Sequence, residues 1–349
     1  MRDEARALLE EGHKRALMLM GESERECSFD RFLESIEAAY SARDEKGSSV
    51  RRINVEIPPQ PPENLRKLSR ARIGTYTVFQ ETYHRKTYEM MHPSGPKSSY
   101  LDRLYAMDEA LSNGLNDVGI GALFGLYDYR FEVLSLIEHS RHLDSKFGVG
   151  PHTISVPRVE PAEGAPLASA PPSGVSDGEM KKIVAVLRCA VPYTGIILST
   201  RETASLRDEL FSLGVSQISA GSKTGPGGYS RPGSGTQFSL NDTRRTGEVI
   251  DSLIMQGYIP SFCTGCYRLG RVGEDFMELA KPGLIKLHCL PNALLTLKEY
   301  LQDYAGPEAR EKGEALIEKE LGSVPDPARR EKTRENLKKI EDGERDIYF

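Results

Sequence analysis

A strand-like run followed by an amphipathic helix recurs seven times along this chain, and that alternation restricts the fold more than any other feature. The runs are RALMLMGE (15–22), VRRINVEIPP (50–59), a stretch near 74–83, DVGIGALFGL (117–126), PHTISVPR (151–158), GIILST (195–200) and VSQISAG (215–221). The second alternates strictly, with Ile53, Val55 and Ile57 set against Asn54 and Glu56, which is the period of a half-buried strand. Helices are predicted after them at 28–40, 62–71, 98–114, 129–147, 177–190, 202–213 and 242–256. In the first, Phe29, Phe32, Leu33, Ile36 and Tyr40 share one helical face, and Ser28 suits the N-cap. A further helix opens the chain with no strand before it. Repeated β-then-α units imply a parallel sheet with right-handed crossovers. Eight such units close a TIM-type barrel, so this chain is expected to be an α/β barrel that lacks its first strand. A doubly wound sheet is the competitor, but it starts with a Gly-rich turn, and none opens this chain.

Bulk properties exclude several partners. A net charge of −5 and a pI near 5.9 give nucleic acid and anionic membranes no electrostatic attraction. No apolar run approaches the length that spans a bilayer. The first residues, MRDEARALLEEGHKRAL, read as a charged helix and not as a signal peptide. Five cysteines in a long chain of this kind read as reduced thiols of a cytoplasmic protein. Two stretches read as loops: the Pro/Ala-rich 158–176, and GSKTGPGGYSRPGSGT at 221–236. The second could cradle an anion, although such composition is more often a flexible connection. The charged segment 306–349 reads as one or two exposed helices with a solvated surface.

Three of the cysteines form a constellation. Cys263-Thr-Gly-Cys266 is followed after 22 residues by Cys289. Two thiols separated by two residues can face one metal across a tight turn, which Gly265 helps to form. Three thiolates suit a cubane with one iron left open to a non-protein ligand. A structural zinc, with His288 as a fourth ligand, is an alternative, and a redox CxxC is another; spacing alone does not choose among them. Cys189 lies in the apolar run IVAVLRCAV and is expected to be a buried small hydrophobe. Cys27 stands in a polar loop.

The segment PSFCTGCYRLGRVGEDFMELAKPGLIKLHCLPNALLTLKEYL (260–301) resembles the cluster-binding end of the radical-SAM tyrosine lyases that mature FeFe-hydrogenase. GHKRALMLMGE (12–22), FQETYHRKTYEMMHPSGPK (79–97), GIGALFGLYDYRFEVLSLIEHSRHL (119–143), GPHTISVPRVEPAEGA (150–165), VPYTGIILSTRE (191–202) and VSQISAGSKTGPGGY (215–229) extend the likeness over essentially the whole chain. The thiamine-pathway tyrosine lyase shares the ETYH-like and SVPR-like pieces but not the C-x2-C-x22-C ending, and biotin synthase is a further relation.

The resemblance implies a radical-SAM barrel at 1–257 and an auxiliary-cluster region with a charged helical tail at 258–349. It implies cleavage of tyrosine by S-adenosylmethionine (SAM) chemistry to p-cresol, with the remaining fragment yielding carbon monoxide and cyanide on iron. It also implies an auxiliary 4Fe–4S cluster on Cys263, Cys266 and Cys289. Gly21 and Glu22 then correspond to the residues that meet the SAM amino group, with Met20 where a small residue is usual. Glu81 and Arg130 correspond to further SAM contacts. Gly121 and Gly125, followed by Asp128, correspond to the strand shaping the adenine pocket. Ser199 and Arg201 correspond to the tyrosine-binding pair, and His152 to the ligand of an additional iron. Tyrosine, SAM, cysteine, iron and other hydrogenase maturation proteins are the partners implied. Each residue also has an ordinary reading: a first-turn carboxylate for Glu22, weak surface ion pairs for Glu81, Arg130 and Arg201, and a packed histidine at a strand start for His152.

One departure stands out. The family holds its SAM-cleaving cluster on a C-x3-C-x2-C loop, and no such triplet occurs in these 349 residues. The chain is therefore expected to be an incomplete version of the lyase, whether a fragment or a chain completed by a piece supplied elsewhere. A non-catalytic iron–sulfur carrier or scaffold is the alternative.

Overall fold

Short apolar segments closed by capped helices build the molecule, and the computed structural model describes residues 1–162, 164–231 and 237–349. Helix α1 (Arg2–Glu10) leads into β1 (Arg15–Leu19), then α2 (Phe29–Tyr40), β2 (Arg52–Glu56), α3 (Pro62–Leu68) and β3 (Tyr76–Glu81). Three short helices follow, α4 (Arg85–Met91), α5 (Tyr100–Leu104) and α6 (Ala106–Ser112), before β4 (Val118–Ala122) and α7 (Tyr129–Phe147). Next come β5 (Thr153–Ser155), α8 (Asp177–Ala190), β6 (Gly195–Leu198), α9 (Ala204–Phe211), β7 (Gln217–Ile218) and α10 (Thr246–Met255).

The caps are chemical. Ser28 Oγ accepts from the Arg31 amide at 3.3 Å and starts α2. Ser176 and Glu179 form a reciprocal capping box on α8. Gly148, at φ 69°, ends α7 in the left-handed region that favours glycine.

All seven strands are parallel and lie in chain order, β1 through β7. That order distinguishes barrel winding from a doubly wound sheet. Right-handed crossovers taken always in the same direction put every helix on one face, whereas a doubly wound sheet reverses direction and covers both. The chain is thus a TIM-type (β/α) half-barrel. Among the described residues β1 and β7 pair with each other at no point, and the barrel stays open between them. Leu17 and Leu19 on that edge are exposed.

The main core lies between sheet and helices. Ile53, Val55 and Ile57 point into it at 3 % exposure or less, with Phe29, Phe32 and Ile36 of α2 among its members. The predicted helix at 98–114 is instead two helices meeting near Tyr105. Cys189 is exposed, not buried. The apolar face of α8 carries Met180, Ile183, Val184 and Leu187, and a residue two positions beyond Leu187 falls on nearly the opposite side of the helix.

The remaining residues form α11 (Gly265–Arg268), α12 (Gly273–Ala280), α13 (Lys286–Asp303), α14 (Pro307–Leu321) and α15 (Pro327–Glu341). The segment expected to be a solvated surface has a second core. Leu294, Leu297 and Leu301 of α13 pack with Ile317 and Leu321 of α14, Val324, and Leu337 and Ile340 of α15. Ile250 and Ile254 of α10 join them. No helix is long and apolar enough to cross a membrane among the described residues. The end of the Gly-rich stretch, 232–236, and Glu163 lie outside the described residues.

Candidate functional site

Polar side chains gather at both ends of the sheet. At the carboxyl ends of the strands, Glu22 follows β1, Glu56 ends β2 and Glu81 ends β3. Glu81 takes φ 68°, at a point where the pairing with β4 slips between Phe79 and Glu81. Such a bulge re-aims a side chain at the rim of a barrel. Arg103 of α5, buried, reaches into the group. Its Nη1 donates to the Phe79 carbonyl at 2.9 Å and lies 3.9 Å from Glu81, while its Nη2 pairs with Glu22. Lys97 Nζ lies 2.5 Å from Glu81 Oε1. Burial, then the neighbouring Glu81 charge, push the Glu56 carboxyl up to about 7.

Arg201 follows β6. Its amide donates to Ser199 Oγ and its Nη1 to the Arg158 carbonyl, both at 3.3 Å, and its guanidinium lies 3.7 Å from the Phe238 ring centre. Burial lowers the Arg201 pKa, against Glu81, Glu56, Glu160 and Glu202, which raise it. Gly121 borders the barrel interior, where a Cβ would come within 2.9 Å of Phe79 and 3.0 Å of the Ser155 carbonyl. Gly125 holds φ 120°, which glycine alone adopts readily. Gly21 has open space beside it. Arg130 stands apart: it is exposed on the first turn of α7, over the Tyr129 ring and 3.5 Å from Asp128, with no contact to the Glu22–Glu81 group among the described residues.

At the opposite end, His152 immediately precedes β5. Its Nδ1 lies 3.3 Å from Asp117 Oδ2 and its Nε2 3.3 Å from the Tyr267 hydroxyl. Tyr267 adjoins Cys266, bonds Thr75 Oγ1 at 3.2 Å and is covered by Arg52 at 3.7 Å. The cysteine loop therefore docks on the amino ends of β2 to β5. Burial lowers the His152 pKa, against Asp117. Arg15 is close enough to influence both His152 and Cys263. The six residues of β3, at about 3.3 Å each, set the two ends about 20 Å apart.

The donor set is three free thiols, Cys263 and Cys266 on the loop and Cys289 in the first turn of α13. Burial raises the Cys263 proton affinity, against the Gly265 amide, which donates to its Sγ at 3.3 Å. Burial, then the Cys266 and Cys263 charges, push the Cys289 thiol up to about 12, so the three thiols lie close enough to repel as anions. Among the described residues no group of three His, Cys, Asp or Glu is drawn tightly enough to hold a single metal ion. Three thiols whose charges influence one another fit the donor chemistry of a cubane. The other two thiols, Cys27 in a loop and Cys189 on α8, supply no second three-sulfur set.

The last residues brace this loop. Arg268 pairs with Asp346 at 2.6 and 2.8 Å. Phe349 accepts from Arg271 at 2.5 Å and exchanges bonds with Asn292. Sequence reasoning missed Glu56, Lys97, Arg103, Asp117 and Tyr267. Only Glu56 carried a signal, as the polar member closing an alternating strand.

The chain resembles proteins of known family. Residues 155–259 match the Biotin and Thiamin Synthesis associated domain. The chain is 30 % identical to 2-iminoacetate synthase of Escherichia coli over 273 residues, spanning 78 % of this chain and 70 % of that protein. It is 50 % identical to a crystal structure of HydG, a maturase of the FeFe-hydrogenase, at a TM-score of 0.96, covering 100 % of this chain and 76 % of that one. HydG from Carboxydothermus hydrogenoformans is 42 % identical at a TM-score of 0.79, over 96 % and 73 % of the two chains. By these likenesses the chain belongs to the radical-SAM family of tyrosine lyases that includes 2-iminoacetate synthase and the FeFe-hydrogenase maturase HydG.

Proposed function

We propose that the chain serves FeFe-hydrogenase maturation as a radical-SAM tyrosine lyase with an auxiliary cluster, on which carbon monoxide and cyanide are assembled. The observation that carries the reading is its 50 % identity and TM-score of 0.96 to HydG over its full length. Gly21, Glu22, Glu81, Gly121 and Gly125 would contact SAM at the strand ends, and Arg130 would join them only by turning inward from its exposed position. Ser199 and Arg201 would hold tyrosine. Cys263, Cys266 and Cys289 would hold the auxiliary four-iron cluster, and His152 would ligate an additional iron through Nε2 while Asp117 fixes its ring. A bound cluster of this type offers an open iron position for non-protein ligands. The protein's part is positional. Arg103 bridges Glu22 and Glu81 in the mouth. Burial keeps the proton affinity of Cys263 and Cys289 high, against the Gly265 amide at Cys263 and the arginine neighbours, which lower it.

The 349 residues hold one three-thiol set, which also favours a second reading, a cluster-binding scaffold without radical chemistry. One assay separates them. Reconstituted, reduced chain is incubated with SAM and tyrosine, alone and with a C-x3-C-x2-C segment of a relative fused ahead of residue 1. The lyase reading expects 5′-deoxyadenosine and p-cresol from the fusion and neither from the chain alone. A fusion that binds both clusters yet releases no p-cresol rules the lyase out.

A further inference from the structure

The carboxyl-end mouth contains a carboxylate whose side chain has no partner among the described residues. In β2, Ile53 and Val55, and Ile57 just beyond it, are buried in the core with the helices, so Asn54 and Glu56 face the barrel interior. The register places Glu56 beside Leu19 on one side and Thr77 on the other, between the ends of β1 and β3. The two flanking carboxylates are matched, Glu22 by Arg103 and Glu81 by Lys97 and Arg103. The Glu56 carboxylate has no hydrogen bond or ion pair among the described residues, although its backbone carbonyl accepts from the Met20 amide.

Arg201 is its counterpart across the mouth. It forms no ion pair among the described residues, and its Nη1 bonds only a backbone carbonyl. Glu56 and Arg201 influence each other electrostatically, yet no ion pair joins them. Opposite charges held in one half-enclosed mouth without touching are costly unless something bridges them, and a zwitterion has the matching charge pair.

Resting on the tyrosine-lyase reading, we propose that Glu56 receives the ammonium group of the α-amino acid bound in the mouth, while Arg201 takes its carboxylate. The residue thereby selects for a free α-amino group. Its raised proton affinity agrees with this role, because an arriving ammonium supplies the positive charge that burial and Glu81 withhold.

Both tyrosine and the methionyl end of SAM carry this group. Calorimetric titration of the 349-residue chain with L-tyrosine, desamino-tyrosine and SAM separates the sources. Glu56→Gln should weaken the amino acid that uses Glu56 by at least about tenfold and leave desamino-tyrosine unchanged. Glu56→Asp should recover part of the loss. Weakened tyrosine identifies the substrate as the ligand, and weakened SAM alone identifies the methionyl end. Unchanged binding of both amino acids, or equal weakening of desamino-tyrosine, overturns the proposal while leaving the lyase reading intact. If the unaltered chain binds neither amino acid, the inference falls, while the lyase reading still stands or falls by the fusion assay.

Discussion

Glu56 carries a stability defect that a pH series can measure. Its folded pKa of about 7 exceeds the ordinary 4.5, so between those values the folded state holds a proton that the unfolded state has released. Stability from this group must then fall as pH rises from about 4.5 to about 7 and stay low above that. Glu56→Gln removes the titration. The variant should melt close to the parent at about pH 5 and above it at about pH 8. Paired thermal melts check this, and a melting difference independent of pH would mean that Glu56 titrates normally. Residue-scale features of this kind were partly legible. The strict alternation of 50–59 placed Glu56 at a strand end on the polar side, and the C-x2-C spacing marked the thiols. Arg103 and Lys97 carried no signal, because their meaning comes from helices folding back over the mouth.

At the scale of elements, the hydrophobic period located all seven strands, since parallel strands covered by helices must be apolar in short runs. It failed where tertiary contacts decide. The helix expected at 98–114 breaks near Tyr105, and the first piece delivers Arg103 to the strand ends. Cys189 was misplaced because an apolar stretch does not reveal which face of a helix is inward. Among the connections, one buried ion pair stands out. Arg207 of α9 and Asp242, ahead of α10, are 0 % and 1 % exposed, and Arg207 also donates to the Ser219 carbonyl beyond β7. Asp242→Ala strands a buried guanidinium and should cost about 3–5 kcal/mol. Urea unfolding with an unchanged slope would measure it. A loss below about 1 kcal/mol would show that water reaches Arg207 and compensates it.

The whole molecule joins a half-barrel to a helical extension with its own core. Charge content made the final segment read as solvated surface, but α14 and α15 use the opposite face, where Leu316, Ile317, Leu321, Leu337 and Ile340 are buried. Their packing brings Asp346 and Phe349 against the cysteine loop, while Tyr267 seats that loop beside His152. Two chemically distinct ends on one sheet follow: carboxylates and arginines at one, thiols and an imidazole at the other. The central claim is that the thiol end is an iron–sulfur site. The most direct test is iron and sulfide analysis of the anaerobically reconstituted chain beside Cys263→Ser, Cys266→Ser, Cys289→Ser, Cys27→Ser and Cys189→Ser. The account predicts about one four-iron cluster per chain, lost in the first three variants and kept in the last two. One zinc per chain with no sulfide would contradict it.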